Sequence, residues 1–295
     1  MSKVALKLEN VHKIYRVTKE ISVHALRGVN LEVKEEEIIV LMGPSGSGKS
    51  TLLQIVGTLD KPTKGRVIIG GIDVTDWDEK RLAYVRREKI GFVFQFFNLL
   101  TNLTAEENVM FPLLLSGKYN DEEARKKARL ILSIVGLPED RWRNTPRKLS
   151  GGQQQMVAIA RAVANNPTYI LADEPTGNLD VDSSTRFLEV VSWLNYIAGQ
   201  TMIIVTHNPE VSRIAHRVLY IRDGILYQKA PKRFINVKAV RRTGEEKRRK
   251  ELYKRLLDVE ISSLRRRYTI GLIDTEEFQE RKEEIENQME KVMEK

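Results

Sequence analysis

Eight residues, GPSGSGKS at positions 43–50, restrict this chain more than any other feature. They lie between the apolar run IIVLM and the helical pattern KSTLLQIVGTL, so the glycines fall at a turn from a buried strand into a helix. Gly43, Gly46 and Gly48 let the backbone of the loop, with Pro44, Ser45 and Ser47 between them, curl until its N–H groups point inward. The nest they form lies at a helix N-terminus carrying about half a positive charge. Such a nest takes phosphate. Lys49 is placed to reach β- and γ-phosphates, and the Ser50 hydroxyl to complete part of a Mg²⁺ shell otherwise made of phosphate oxygens and water.

The rest of the pattern is consistent with a strand–helix alternation around that loop. VALKLENV, HALRGVNLEV and IIVLM read as strands, and GRVIIGGIDV as a hairpin turning at Gly-Gly. From about Thr104 the period becomes helical: Thr104 and Glu107 fit a capping box, and a helix opening at Asp121 repeats Ala124, Ala128, Ile131 and Val135 on one face. Then come strand YILAD, helix SSTRFLEVVSWLNYIAG, strand TMIIVTH, helix PEVSRIAH and the hairpin VLYIRDGILY with its Asp-Gly turn. Apolar strands alternating with helices predict a parallel sheet with helices on both faces.

Carboxylates end one of those strands. In YILADE, Asp173 and Glu174 point to opposite sides of the strand, so they can do different jobs at the carboxyl end of a parallel sheet, where such sheets bind ligands. Asp173 suits Mg²⁺ coordination and Glu174 suits orienting and deprotonating a hydrolytic water. Without the loop at 43–50 the pair would read as a cap on the next turn. His207, after the next buried strand, falls beside the same crevice, within reach of a γ-phosphate, and Gln95 follows the apolar IGFVF. Singly, each reads as an ordinary structural or solvent-facing side chain.

Taken together these motifs resemble the ATP-binding subunits of ABC transporters, over residues 1–228, with a helical subdomain at about 100–165. The motif set is the loop at 43–51, Gln95, LSGGQ at 149–153, YILADE at 169–174, NLD at 178–180 and His207. The resemblance implies a P-loop fold of ABC type: a mostly parallel core sheet, an antiparallel β subdomain and a helical subdomain. It implies ATP and Mg²⁺ as cofactors, Lys49, Gln95, Glu174 and His207 as catalytic residues, and Ser50, Gln95 and Asp173 around the metal. Tyr15 would stack on adenine and Thr51 would touch the α-phosphate. It also gives LSGGQ a reason, since Ser150 is a good N-cap and Gly151 and Gly152 clear the way for a second phosphate-bearing surface. In the family two subunits pair head to tail, so Ser150, Gly151, Gly152 and Gln153 would face the ATP of a second copy and Asp180 would report across the dimer. FNLLTNLTAEENVMFPLLL and ADEPTGNLD are most similar to the branch serving lipoprotein release, macrolide efflux and the cell-division type of permease. In that branch a separate membrane permease is the partner. Two departures stand out: Glu36 where glycine is usual, which bears on the shape of that turn, and Met156 where arginine is common, which bears on a surface contact.

Residues 229–250 read as a basic linker and 251–295 as a helical hairpin. Lys229 to Gly271 holds 15 Lys/Arg against 5 Asp/Glu, whereas Leu272 to Lys295 is acidic. Tyr253, Leu257, Ile261 and Leu264 share one helix face; Asp274 and Glu277 fit a capping box, Ile273 and Phe278 a hydrophobic staple, and Phe278, Ile285, Met289 and Val292 a second stripe. GLIDTEEFQERKEEI resembles the short C-terminal helical module of the SHOCT type. The hairpin could fold back on the core or on itself, dimerise, contact the permease, or bring its basic run to anionic lipid headgroups. Aromatics for stacking on bases are nearly absent from it, which argues against nucleic acid.

Composition excludes several classes. With no cysteine there is no disulfide, thiolate metal site or thiol nucleophile. No apolar run approaches the roughly 18 residues of a membrane helix, and the first residues lack a secretory h-region, so the expected location is cytoplasmic, peripheral on the membrane through the permease. Two rival functions remain: a soluble ABC ATPase of DNA repair or translation, which typically carries two cassettes or a long coiled coil, and a nucleotide-gated scaffold without turnover.

Overall fold

A computed structural model describes residues 3–16, 18, 21–228 and 243–294. The expected basic linker lies, up to residue 242, outside the described residues. The described residues form two compact units, one from Met1–Phe96, Asn166–Asn178 and Gly199–Val237, the other from Phe97–Asn165, Leu179–Ala198 and Lys238–Lys295.

The first unit holds two sheets. Strands β1 (Val4–Arg16), β2 (Ser22–Lys34), β4 (Lys64–Ile69) and β5 (Ile72–Asp73) form an antiparallel sheet in the order β2-β1-β4-β5, with Gly70 and Gly71 at left-handed φ in the hairpin turn. The second sheet combines β3 (Ile38–Met42), β6 (Ile90–Val93), β7 (Tyr169–Asp173), β8 (Met202–Val205), β9 (Arg217–Arg222) and β10 (Ile225–Gln228), ordered β10-β9-β3-β8-β7-β6. All its pairings are parallel except the β9–β10 hairpin at Asp223-Gly224. The apolar runs IIVL, YILA and MIIV are buried throughout, as strands covered on both faces must be. Helices α1 (Lys49–Val56) and α2 (Glu79–Lys89) belong to this unit. PEVSRI is a six-residue 3-10 turn, Pro209–Ile214, not the α-helix its pattern predicts: Ser212 Oγ bonds back to Pro209 O, and His216 N already donates to Ile38 O as β9 begins. Glu36 sits at φ 63°, with its N–H on Thr201 Oγ1, a left-handed conformation that explains why glycine is common in that turn.

The second unit is helical: α3 (Ala105–Leu115), α4 (Asp121–Ile134), α5 (Gly151–Val163), α6 (Val181–Ala198), α7 (Thr243–Thr269) and α8 (Thr275–Glu294). Thr104/Glu107, Asn120/Glu123 and Ser150/Gln153 each form a reciprocal capping box, so Asn120 is the cap residue before Asp121. Met156 is buried with Ile159 rather than at a surface, so arginine's absence there is a packing choice.

In α7 and α8, Asp274 Oδ1 accepts from Glu277 N, and Phe278 stacks on Tyr268 with ring centroids 4.6 Å apart. The hairpin is tied to α4 by polar groups. Lys127 Nζ, on a residue only 1% exposed, donates to Glu260 Oε1 at 2.6 Å and Tyr119 Oη at 2.7 Å. Ser263 Oγ and Arg266 both donate to Lys118 O, and Arg266 also pairs with Glu123 at 3.0 Å. Tyr253 meets Trp193 of α6 edge to face at 6.0 Å. Burial pushes the Lys127 ammonium toward neutrality, but Glu260 and Tyr119 outweigh that and leave its pKa raised.

Candidate functional site

Strand order brings the first unit's expected residues to one end of its parallel sheet. With β8 between β3 and β7, Leu41 and Asp173 both stand level with Val205, and Ala172 with Val93. The 43–50 loop, Asp173-Glu174, His207 and Gln95 therefore leave the carboxyl ends of four neighbouring parallel strands.

The loop is built tightly. A Cβ on Gly43 would stand 2.2 Å from Ile221 O, and one on Gly48, at φ 106°, 2.5 Å from Ala25 O, so neither position accepts a side chain. Gly46 takes a left-handed φ of 74° with open space around it. Buried Ser47 accepts at its carbonyl from Gly224 N, pinning the loop to the β9–β10 turn. Gly48 starts α1 with no side-chain cap, leaving the helix's first N–H groups to an external acceptor. Lys49 Nζ donates to Gly43 O at 2.7 Å and Pro44 O at 2.8 Å, across the mouth of the loop. Pro44, Ser45 and Ser50 are exposed and Thr51 is half-buried.

Glu174 is the most constrained residue at this end. It adopts φ 44°, left-handed for a side-chain-bearing residue, with its N–H on Val205 O at 2.8 Å. Its Oε2 accepts from Thr206 Oγ1 at 2.9 Å and His207 N at 3.2 Å, and its Oε1 lies 2.9 Å from His207 Nδ1. His207 is exposed, so its Nε2 edge is open. Burial, then the neighbouring Glu174, push the Asp173 carboxyl above the ordinary range, and Lys49 partly offsets them. A half-buried carboxylate with surplus negative charge beside it suits a divalent cation. The oxygen donors available, Ser50, Gln95 and Asp173, are the hard ligands Mg²⁺ takes. Among the described residues no group of three or more His, Asp or Glu could by itself hold a metal ion. Gln95 O accepts from Asn178 Nδ2, and its amide crowds Gly177, where a Cβ would lie 2.9 Å from Nε2.

Tyr15, expected to meet adenine, is half-buried with its hydroxyl donating to Asp60 Oδ2 at 2.8 Å; Lys13 Nζ reaches Asp60 Oδ1 at 2.6 Å and lies 4.9 Å from the ring centroid. Thr206 and Asp60 are not among the residues the sequence singles out. Their only signals are a threonine ending an apolar strand beside His207 and a carboxylate in the turn LDKP.

Ser150, Gly151, Gly152, Gln153 and Asp180 belong to the helical unit. Ser150 Oγ accepts from Gln153 N at 3.3 Å and Ser150 N donates to Gln153 Oε1 at 3.0 Å, so the hydroxyl keeps its proton for another acceptor. Asp180 caps α6, accepting from Ser183 N at 2.8 Å and Ser183 Oγ at 2.9 Å, which holds its carboxyl below the ordinary range.

Comparison with known proteins decides what this arrangement is, since residues 26–177 match the ABC transporter family. The chain belongs to that family. It is 50% identical over 221 residues to the ABC transporter ATP-binding protein MJ0796 of Methanocaldococcus jannaschii, covering 74% of this chain and 94% of MJ0796. A solved dimer of the MJ0796 cassette, in a post-hydrolysis state bound to ADP and Pi, matches with TM-score 0.71 at 47% identity, over 77% of this chain and 99% of that one. The lipoprotein-releasing system ATP-binding protein LolD 1 of Rhodopseudomonas palustris is 44% identical over 74% of this chain and 96% of its own. The macrolide export ATP-binding/permease protein MacB of Syntrophobacter fumaroxidans is 42% identical over 91% of this chain, which spans 39% of MacB. The cassette has the fold of an ABC ATPase. No helix among its described residues is long and apolar enough to cross a membrane.

Proposed function

We propose that this cassette is the Mg-ATP-hydrolysing subunit of a membrane complex, in which two copies hold two ATP molecules head to tail and their closure drives a separate permease. The observation that carries this reading is the grip on Glu174: Thr206 and His207 fix both its oxygens at the end of the sheet that also carries the phosphate loop and Asp173.

In this reading the loop amides from Gly43 to Gly48 and the uncapped start of α1 take the β-phosphate. Lys49 swings from the Gly43 and Pro44 carbonyls to the β- and γ-phosphates, and Thr51 meets the α-phosphate. Tyr15, held by Asp60, stacks on adenine. Ser50, Gln95 and Asp173 would hold Mg²⁺, which would supply positive charge against the bound phosphates. Glu174 accepts the proton of the attacking water, and Gln95 orients that water. With Nδ1–H donated to Glu174, His207 accepts through neutral Nε2; donating to the γ-phosphate from Nε2 requires the imidazolium. Ser150, Gly151, Gly152, Gln153 and Asp180 serve the nucleotide of the second copy.

The names of the relatives support a place in the branch of lipoprotein release and macrolide export, with the cassette peripheral on the cytoplasmic face. Exposed Lys247, Arg248, Lys254 and Arg255 of α7 suit anionic headgroups, and α7–α8 is a C-terminal helical module of the SHOCT kind. Replacing Glu174 by Gln tests the core of the proposal. ATP binding should persist, turnover fall by roughly 10²- to 10⁴-fold, and an ATP-dependent dimer accumulate in sedimentation. Normal turnover, or a monomer at saturating Mg-ATP, refutes it.

A further inference from the structure

The helical unit contains a contact that gives Gly152 a reason of its own. Gly152 lies in the first turn of α5, outside the left-handed φ region, so its backbone would accept any residue. Space would not. A Cβ there would stand 2.4 Å from Ser183 Oγ and 2.9 Å from Ser183 Cβ, in the first turn of α6. Ser183 yields only at a cost, because its Oγ and N–H both bind the Asp180 carboxylate. Turning the hydroxyl away forfeits a hydrogen bond to a charged group. Two helix N-termini thus abut, one capped by Ser150 and the other by Asp180, with Ser183 wedged between them. Both are positive ends of helix dipoles, and ionised Asp180 offsets one of them, which lets them sit this close.

We infer that Ser183 is a positioning residue: it sets the place of the Ser150–Gln153 turn from the cap at Asp180, within one subunit. Resting as it does on the two-copy reading above, the inference gives that reading a line of communication. Asp180 and Ser150 each serve the second copy's nucleotide, and any shift of Asp180 away from Ser183 relaxes the wedge against Gly152. The event at Asp180 is then felt at Ser150 without passing through ATP.

The test is suppression. In the Glu174→Gln background, Gly152→Ala should weaken Mg-ATP-dependent dimerisation by about tenfold or more, and Ser183→Gly by about threefold. The double variant Gly152→Ala/Ser183→Gly, having room for the new methyl, should lie closer to the parent than Gly152→Ala does. This reversal of additivity is the signature of direct coupling. Simple additivity, or a harmless Gly152→Ala, overturns the inference. Amide exchange at Gln153 in nucleotide-free protein provides a second reading: faster in Gly152→Ala and restored in the double variant, against no restoration if Ser183 is not the obstacle. Should the Glu174→Gln parent itself stay monomeric, the two-copy reading fails, while exchange at Gln153 still decides the role of Ser183.

Discussion

Removing the charge of Glu260 is expected to be among the most damaging single changes in the helical unit. Lys127 lies with its side chain 2% accessible, 2.6 Å from a carboxylate whose own side chain is 11% accessible. Glu260→Gln preserves shape and an amide oxygen that can still accept from Nζ, but leaves the ammonium in the interior without a counter-charge. Breaking a buried pair from one side costs about 3–5 kcal/mol, because the remaining charge keeps its desolvation penalty. With a urea slope of about 3 kcal/mol/M, the midpoint should fall by roughly 1–1.7 M. Trp193, edge-on to Tyr253 of α7, reports in fluorescence whether the hairpin leaves first. Lys127→Met should cost less, since the carboxylate left behind is nearer to water. Lys127→Met with Glu260→Leu should recover most of the loss, as apolar replacements of buried pairs do. Since the Lys127 pKa is raised, its contribution is complete below the unfolded lysine value of about 10.4 and is lost only as pH climbs through the higher folded value. A Glu260→Gln midpoint within about 0.2 M of the parent, or a double variant as damaged as the single, refutes the argument.

Two other substitutions probe the nucleotide end. Thr206→Val removes a fully buried donor to Glu174, and loss of that bond, about 1.4 kcal/mol, should lower kcat about tenfold with KM nearly unchanged, while Thr206→Ser restores it; an unaltered kcat removes Thr206 from the mechanism. Asp60 is pushed upward by burial, but Lys13 and Tyr15 outweigh this and hold its carboxyl below the ordinary range. Its contribution is therefore present above the unfolded aspartate value, about 4, and lost as pH falls through the folded one. Asp60→Asn should lower Tm at pH 6, and the gap to the parent should close on acidification toward pH 3; a gap independent of pH contradicts the assignment.

The readability of this chain follows the distance over which each device acts. GPSGSGKS, the capping boxes and the Asp223-Gly224 turn are local patterns, so their residues alone announce them. Thr206 and Asp60 could not be found that way, since their partners Glu174 and Tyr15 lie 32 and 45 residues off and meet only through strand order. Helix α2 escaped because EKRLAYVRREK is charged nearly all round, with Leu82 and Val85 its apolar anchors. Lys127 falls three residues after Ala124 and four before Ile131, on the apolar face of DEEARKKARLILSI, whereas Lys126 faces solvent; the pattern marks that face but not the α7 carboxylate that lets an ammonium sit in it. Only the packed hairpin supplies that partner, 133 residues away.

That last pair bears on how this cassette could be trimmed or recombined. The match to MJ0796 covers 74% of the chain, which invites a shortened version cut just after β10. Severing there would strip Lys127 of its counter-ion and bare Tyr119 and Trp193 to water, so the shortened protein should be prone to clumping. A chimera that borrows the hairpin must import Tyr119, Glu123 and Lys127 along with it, because host and appendage have been tailored to each other on both sides of the seam.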